Sequence, residues 1–593
     1  MNVAEYLIAR LQQAGLEHLF AVPGDYAGAF LQALDAAPGI ARVANVNELG
    51  AGYAADGYAR FKGIGAACVQ YGVGGFSILN ATAGSFVERV PVVVISASPS
   101  TADRRLERTQ GILFHHSTGN LLADQQVFAK VTVASVVVAD PASAPAEIDA
   151  AIVALLTYKR PIYIEVLQDV WTLPCASPQG TLAPAVLTSD PASLAAAVDD
   201  AWTRIQSARL PVLWAGVEIQ RFGLQATLQQ IVDASGLHFT TTSLGKTVLD
   251  EAQPRFLGTY AGPASPLLTR TVMAASDCPI ALGTIITDDY LNIMASSFGA
   301  MIEVTDAETR IGYRYYRQVA MADFLAALLA RFRALPGGPR GYALPAVPAE
   351  PAGAPATGTA EASPQGAGPA SGSPAVSRPD DALSYNVFYR ELTGYLASEE
   401  VLGKVTLILG ESTSLYVFGN LFGLPANRFV AQAAWGSLGH ETGCALGVAL
   451  ATGTRPYVVA GDGGFRMICQ ELSSLAEQKS NAVVFVMSND AYAIEQAFVD
   501  LSAFQPGGAF APFDLLPPWD YLALARAFGA RGYRTRTVGE LAKVLSELQA
   551  LTDVPALVEV VVPQKDLAPQ LARLAETPPQ HRKYRRGQPA PAQ

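Results

Sequence analysis

The sequence is poor in cysteine and in charged residues, and it has no long uninterrupted apolar run. Five cysteines stand far apart among 593 residues, with no CxxC pair, so neither a disulfide framework nor a zinc site is expected. Apolar runs stay short of the ~18 residues that favour a membrane helix, so no membrane partner is expected. The start lacks the basic and apolar regions of a secretory signal, and we expect a cytoplasmic protein.

Basic segments are equally scarce. Lysine and arginine number 41 against 52 acidic residues, for a formal net charge of −11, and the one basic cluster is short, at 581–586. A nucleic-acid partner is therefore not expected, because its phosphates would meet no basic surface. Half of the residues are hydrophobic, which suits a globular chain, and its length predicts several domains.

Composition divides the chain into blocks. Residues 336–381 are dominated by proline, alanine, glycine and serine, which predicts a disordered linker. A weaker break near 174–191 separates two earlier blocks. The predicted units are an N-terminal domain at 1–175, a middle domain at 185–335, a C-terminal domain at 382–575 and a flexible tail at 576–593.

Each block alternates short apolar, β-branched runs with segments of helical period. Examples of the runs are VPVVVISA, LPVLWAG and AVVFVMSN. Strands that are apolar on both faces and separated by helices predict parallel sheets covered on both sides. The fold class expected is α/β, with three doubly wound parallel-sheet domains. Ligands bind such sheets beyond the carboxyl ends of the strands.

The most informative motif follows an apolar run in the third block. The run ends in Asp462-Gly463-Gly464 at a helix start, and 24 residues separate Gly464 from Asn489, which ends the next run. That spacing suits one crossover helix, so Asp462 and Asn489 are expected at the ends of neighbouring strands. The two side-chain oxygens predict a site for Mg²⁺. The glycines at the adjacent helix start predict backbone amides that can bind a diphosphate. The alternative for a lone GDG is a tight turn.

This motif resembles the diphosphate-binding motif of thiamine diphosphate enzymes. The resemblance implies that Asp462 and Asn489 bind Mg²⁺ through their side chains and that Ala491 binds it through its backbone carbonyl. The decarboxylases usually have glycine at that last position, and alanine is tolerated only if its φ angle is negative. The implied cofactors are thiamine diphosphate and Mg²⁺.

A second motif, Asn45-Val46-Asn47-Glu48, opens a segment rich in alanine and glycine. By itself, a carboxylate at a helix start merely compensates the helix dipole. The segment is similar to the pyrimidine-domain motif of the same family. In that family the glutamate matching Glu48 contacts N1′ of the aminopyrimidine and so activates the cofactor.

Further positions match the non-oxidative 2-keto acid decarboxylases, which include the pyruvate, indolepyruvate and phenylpyruvate enzymes. Asp25 follows the first strand, and His115 and His116 stand side by side in a polar loop; each would be unremarkable alone. Ile494 and Glu495 match the active-site Ile-Glu pair of the decarboxylases. The resemblance makes Asp25, His115, His116 and Glu495 catalytic, together with Glu48.

The same resemblance supplies the remaining cofactor contacts. It implies that Thr413 and the backbone of Gly436 hold the cofactor and that Leu438 is the apolar wedge behind its bent conformation. Gly463, Gly464 and Ile494 belong to the same cofactor site. A GVGG turn at 72–75 lacks the full dinucleotide-binding pattern, so it is a weak signal.

The substrate is expected to be a small 2-keto acid, converted to an aldehyde and CO₂. Leu415 occupies a pocket-lining place in similar enzymes, and a leucine leaves room for an aryl-pyruvate such as phenylpyruvate or indole-3-pyruvate. The alternatives are a pyruvate or branched-chain 2-keto acid decarboxylase, an acetolactate synthase-type carboligase and a non-catalytic descendant. In this family the cofactor lies between two subunits, which predicts a homodimer or a tetramer.

Overall fold

The computed structural model describes residues 1–347, 377–398 and 401–576. Most of the predicted linker and nearly all of the predicted tail lie outside these residues. The described start of the linker segment packs on the middle unit, because the Arg340 amide donates to the Ser235 carbonyl at 3.1 Å and Tyr342 contacts the apolar core. Residues 336–347 therefore differ from the expectation of a free linker.

The N-terminal unit is a six-stranded, fully parallel sheet with the strand order β2-β1-β3-β4-β6-β5. Its central strands are buried at every residue, as expected for a sheet covered on both faces. The strands are β1 (His18–Ala21), β2 (Ala41–Ala44), β3 (Gly65–Gln70), β4 (Val92–Ser98), β5 (Ala134–Val138) and β6 (Ile162–Leu167). The helices are α1 (Val3–Gln13), α2 (Gly28–Ala36), α3 (Glu48–Lys62), α4 (Val73–Val87), α5 (Thr101–Gln110), α6 (Ala123–Phe128) and α7 (Ala144–Tyr158).

The middle unit has a seven-stranded sheet that is mixed rather than purely parallel. Its strands, in chain order, are β7 (Pro211–Ala215), β8 (His238–Thr242), β9 (Phe256–Tyr260), β10 (Cys278–Leu282), β11 (Ile302–Val304), β12 (Thr309–Ile311) and β13 (Arg314–Tyr316). The order is β13-β12-β11-β10-β7-β8-β9, and β12 pairs antiparallel with both β11 and β13 at one edge of the sheet. The helices are α8 (Pro191–Ser207), α9 (Glu218–Arg221), α10 (Gln225–Ser235), α11 (Leu267–Ala275), α12 (Leu291–Ser297) and α13 (Met321–Arg333).

The C-terminal unit repeats the strand order of the N-terminal one. Its parallel strands are β14 (Val405–Leu409), β15 (Phe429–Ala431), β16 (Arg455–Gly461), β17 (Val483–Ser488), β18 (Arg531–Thr535) and β19 (Ala556–Val561), in the order β15-β14-β16-β17-β19-β18. The helices are α14 (Tyr385–Ser398), α15 (Thr413–Phe418), α16 (His440–Thr452), α17 (Asp462–Met467), α18 (Glu471–Glu477), α19 (Ala493–Val499), α20 (Tyr521–Ala527), α21 (Val538–Leu548) and α22 (Pro569–Glu576). All three sheets with their helices make the α/β architecture that the sequence predicts.

Helices α3 and α16 pack directly on each other and join the N-terminal and C-terminal units. A Cβ atom on Gly447 of α16 would lie only 1.8 Å from the Ala54 carbonyl oxygen of α3. Glycine is required there because the two backbones approach more closely than any side chain allows. The short distance between the helices fixes how the two units sit on each other.

A buried polar network crosses the same contact. Arg60 of α3 pairs with Asp56 and Glu88, each at 2.6 Å, and His440 of α16 contacts Asp56 at 2.8 Å. Burial alone would raise the pKa of Asp56, but Arg60 and His440 outweigh it and hold the pKa below its ordinary value. Each buried charge therefore has partners, as burial requires.

Among the residues that the structure describes, no helix combines the length and the apolar character needed to cross a lipid bilayer.

Candidate active site

The first group of candidate residues lies at the carboxyl edge of the N-terminal sheet. Asp25 begins the single 3₁₀ turn after β1, and its Oδ1 accepts a hydrogen bond from Nε2 of Gln70 at 2.6 Å. Gln70 is the last residue of β3, which pairs with β1 in parallel. The adjacent strand therefore fixes the direction of the Asp25 carboxylate.

Glu48 occupies the first position of α3, directly after β2. Asn47 caps this helix, because its side-chain oxygen accepts the Gly50 amide at 2.8 Å, and the Glu48 side chain is left to point elsewhere. A Cβ atom on Gly74 would lie 3.3 Å from Oε1 of Glu48. The carboxylate thus faces the start of α4, at the same edge of the sheet as Asp25.

The two histidines are held by backbone contacts next to β3. The Tyr71 hydroxyl donates to the His115 carbonyl at 2.5 Å, and the Tyr71 ring lies edge-on to His116 with 6.0 Å between ring centroids. His116 has a positive φ of 72°, and its carbonyl would lie 2.4 Å from a Cβ atom on Gly72. These contacts fix the backbone of both histidines beside Gly72, while both side chains are exposed.

The second group lies at the carboxyl edge of the C-terminal sheet. β16 and β17 pair in parallel, and they place Asp462 and Asn489 at adjacent strand ends. Oδ2 of Asp462 accepts the backbone amides of Asn489 at 3.1 Å and of Asp490 at 2.7 Å. Burial raises the pKa of Asp462 to about 6, although these amides oppose the shift. A nearby cation would stabilise the charged form.

The turn after Asn489 keeps Ala491 in an ordinary backbone conformation. The left-handed φ of 54° falls on Asp490 and not on Ala491. Oδ1 of Asn489 accepts the Ala491 amide at 3.3 Å. Three oxygens are available here: the Asp462 carboxylate, the side-chain oxygen of Asn489 and the Ala491 carbonyl. Mg²⁺ prefers hard oxygen donors of this kind, so the donor set fits that ion.

Gly463 and Gly464 start α17 in a space that admits no side chain. A Cβ atom would lie 2.2 Å from Cε1 of Tyr492 at Gly463 and 2.7 Å from Oε1 of Glu441 at Gly464. The side chains of Tyr492 and Glu441 fill the Cβ directions of the two glycines, so packing within the protein requires glycine at both positions. Burial raises the pKa of Glu441 to about 7.

The segment before α16 carries two further candidates. Gly436 has a φ of +69°, and Oε1 of Glu88 accepts the amides of the preceding Ala434 and Trp435 at 2.8 and 3.2 Å. Leu438 is half-buried in the same segment. Glu88, which belongs to the N-terminal unit, therefore positions a loop of the C-terminal unit.

The remaining candidates follow β14 and β17. Thr413 is buried at the start of α15, and Ser412 caps that helix. Ile494 packs against Tyr416 and Phe498, whereas Glu495 is exposed in this single chain. Partial desolvation, followed by the charge of Asp514, raises the pKa of Glu495 above its ordinary value.

The structure forms two half-sites and does not bring them into contact within one chain. Among the described residues, no hydrogen bond, ion pair or ring contact joins the N-terminal group to the C-terminal group. The N-terminal half-site comprises Asp25, Glu48, His115 and His116, and the C-terminal half-site comprises Thr413, Gly436, Leu438, Asp462, Gly463, Gly464, Asn489, Ala491, Ile494 and Glu495.

Sequence reasoning missed three buried carboxylates of this region. Glu88 supports the loop before Gly436, Glu441 lies against Gly464, and Glu411 lies against Gly436. Each of these residues is an acidic side chain in a mostly apolar segment, and that pattern could have indicated a buried carboxylate. The pattern does not reveal the partners, because the partners are distant in sequence.

Comparisons with known proteins show the family to which this chain belongs. Models of the thiamine pyrophosphate enzyme N-terminal TPP binding domain, central domain and C-terminal TPP binding domain match residues 1–126, 198–332 and 415–560. The chain is 30% identical over 588 residues to an alpha-keto-acid decarboxylase of Mycobacterium leprae, which covers 97% of this chain and 95% of the relative. It is 31% identical to a protein of the same name from Mycolicibacterium paratuberculosis, with 97% and 96% covered. A pyruvate decarboxylase of Aspergillus fumigatus is 29% identical over 604 residues, again with 97% and 96% covered.

Proposed function

This chain belongs to the thiamine diphosphate-dependent 2-keto acid decarboxylases, and within that family we propose that its substrate is an aryl-pyruvate, either phenylpyruvate or indole-3-pyruvate. It is an enzyme that uses thiamine diphosphate with Mg²⁺ to decarboxylate a 2-keto acid. The products of the proposed reaction are the aryl-acetaldehyde and CO₂. We assign the outer units at 1–175 and 382–575 to cofactor binding, with a middle unit at 185–335.

The C-terminal half-site would hold the diphosphate end of the cofactor. Asp462 and Asn489 would bind Mg²⁺ through side-chain oxygens, and Ala491 would bind it through its carbonyl. The observation that carries this assignment is the pairing of β16 with β17, which sets Asp462 and Asn489 side by side. The backbone of Gly463 and Gly464, in the first turn of α17, would lie against the diphosphate.

Thr413 and Gly436 would contact the rest of the cofactor, with Leu438 and Ile494 as its apolar neighbours. Because Glu88 holds the backbone just before Gly436, the position of this loop depends on the buried network around Arg60.

The N-terminal half-site would supply the proton chemistry. When bound, the cofactor accepts the electron pair that the departing carboxylate leaves behind. Glu48 would hold a proton at N1′ of the aminopyrimidine. Asp25, His115, His116 and Glu495 would move protons around the reacting carbon, since all four bear groups suited to general acid–base work.

Apolar surroundings favour the loss of CO₂, because a charged carboxylate becomes a neutral product there. Ile494, Phe498, Tyr416 and Leu574 pack together beside the C-terminal half-site and offer such surroundings. Leu415, which we expected to line the pocket, is 2% exposed and packs in the apolar core of the C-terminal unit. The apolar cluster around Ile494 is what supports an aryl side chain on the substrate.

Exposed apolar side chains beside both half-sites support a homodimer in which the half-sites of two chains face each other. Val73 and Phe76 lie in the first turn of α4 in the N-terminal unit, and Trp435 and Met467 lie beside the C-terminal half-site, all between 40% and 54% exposed. An exposed apolar surface of this kind marks an interface in soluble proteins.

A panel of 2-keto acids tests the substrate. The enzyme with thiamine diphosphate and Mg²⁺ is assayed for aldehyde from phenylpyruvate, indole-3-pyruvate, pyruvate and a branched-chain 2-keto acid. We expect the highest kcat/KM with an aryl-pyruvate, and a higher value with pyruvate would overturn the proposal. Glu48→Gln is the control, because it should abolish aldehyde formation from every substrate while the fold survives.

A further inference from the structure

Glu411 lies at the junction between the cofactor site and the apolar cluster around Ile494. It follows β14 and directly precedes Ser412 and Thr413, at the sheet edge where ligands bind. Its Cγ atom is 3.4 Å from the position that a Cβ atom on Gly436 would occupy. A side chain placed here borders whatever the site holds next to Gly436.

Glu411 belongs to a cluster of acidic side chains that contains no cation. The Tyr416 hydroxyl donates to Oδ1 of Asp289 at 3.0 Å and lies 3.5 Å from Oε1 of Glu411. The second oxygen, Oε2 of Glu411, is buried and has no hydrogen-bond partner. Within the described ranges, no lysine, arginine or histidine forms an ion pair with Glu411 or Asp289.

Burial raises the pKa of both carboxyl groups of this cluster. Desolvation, reinforced by the neighbouring Asp289, raises the pKa of Glu411 well above its ordinary value. Desolvation also raises the pKa of Asp289 to about 6. In either charge state the Glu411 carboxyl group offers an acceptor oxygen that lacks a donor.

The wall around the acidic group is apolar. Tyr416 packs against Ala261 and Ala264 of the middle unit and against Leu574 of α22, with Ile494 beside them. Glu411, Asp289 and the Tyr416 hydroxyl therefore form a polar cluster next to apolar surfaces suited to an aromatic ring. A buried acceptor without a donor is costly, and a ligand that brings the donor removes that cost.

We propose that Glu411 determines which aryl side chain the enzyme accepts, by taking a hydrogen bond from an N–H or O–H group on the substrate ring. The inference rests on the proposed aryl-pyruvate function and narrows it. Indole-3-pyruvate and 4-hydroxyphenylpyruvate carry such a group, whereas phenylpyruvate does not. A site built around a hydrogen bond discriminates strongly against an analogue that lacks the partner group.

Two substitutions at Glu411 test the proposal through ratios of kcat/KM. In Glu411→Leu, which removes the acceptor, the ratio for indole-3-pyruvate over phenylpyruvate should fall by about tenfold or more. Glu411→Gln, which keeps a carbonyl oxygen in place, should retain most of the preference. The matched control is Glu477→Leu, an exposed acidic residue of the same unit, which should leave the ratio unchanged.

Calorimetric titration of the holoenzyme adds a readout without turnover. The wild type should bind indole-3-acetate more tightly than phenylacetate, and Glu411→Leu should lose that difference while Glu411→Gln keeps it. An unchanged ratio of kcat/KM and an unchanged binding difference in Glu411→Leu would overturn the role of Glu411. If the wild type makes aldehyde only from pyruvate or branched-chain acids, the proposed function itself has failed, which is a separate result.

Discussion

Nε2 of His440 lies 2.8 Å from Oδ1 of Asp56, and this contact joins two units of the chain across 384 positions of sequence. Asp56 also accepts hydrogen bonds from Arg60 and from the Ser85 hydroxyl. His440 is therefore part of a buried network and not one partner of an isolated contact. Buried polar networks of this kind are costly to leave half-satisfied.

Replacing His440 by phenylalanine should therefore destabilise the protein. The aromatic packing on Tyr53 can remain, but the hydrogen bond to Asp56 is lost, which we expect to cost about 1–3 kcal/mol. The midpoint of thermal unfolding measures the effect. His18→Phe is the matched control, because the His18 ring packs edge-on to Tyr58 and its Nδ1 has no hydrogen-bond partner to lose. Equal midpoints for the two variants would contradict the importance of the network.

Substitution of Gly447 by alanine should loosen the packing of α3 on α16. The new methyl group would meet the Ala54 carbonyl at 1.8 Å, so the helices must separate, at a cost of about 1–3 kcal/mol. Gly394→Ala in α14 is the control: it has no neighbouring atom within 4 Å and should be neutral or stabilising by up to about 1 kcal/mol. Chemical denaturation of both variants distinguishes the outcomes, and a neutral Gly447→Ala would show that the contact is looser than described.

Glu441 should make the stability of the cofactor-free protein fall with rising pH. Its folded-state pKa of about 7 lies above the ordinary value of 4.5, so the folded protein binds this proton more tightly than the unfolded chain. The stabilisation is complete below about pH 4.5 and is lost as the pH rises through 7, with a full span of about 3 kcal/mol. The Glu441→Gln variant does not lose this stabilisation with rising pH. The unfolding midpoint of the variant minus that of the wild type should therefore increase between pH 5 and pH 8. Parallel midpoint curves for the two proteins would refute the assignment, and Glu477→Gln serves as the exposed control.

Mixing two inactive variants tests the proposed arrangement between chains. Glu48→Gln damages only the N-terminal half-site and Asp462→Asn only the C-terminal one. In a mixed dimer, one of the two sites combines the intact halves, so random mixing should restore about a quarter of the wild-type activity. A site built within a single chain would give no restoration. Each variant mixed with itself, after the same unfolding and refolding, is the control.

The sequence predicts the sheets more fully than the contacts between them. Strands such as Val92–Ser98 are apolar on both faces and separated by helices, so the parallel architecture follows from local pattern. The antiparallel pair Thr309–Ile311 and Arg314–Tyr316 was missed because three-residue strands are too short to show alternation. Glu88 and Glu441 were missed for another reason: their roles depend on backbone amides and glycines that only folding brings near.

The shared strand order of the two outer sheets means that one scaffold occurs twice in this chain. Superposing residues 1–175 on 382–575 would match β1 with β14, β2 with β15 and β3 with β16. The proposed proton-handling residues Asp25 and Glu48 follow β1 and β2, whereas the proposed cation ligands Asp462 and Asn489 follow β16 and β17, the counterparts of β3 and β4. The two units therefore place their proposed chemistry after different pairs of strands of one duplicated scaffold.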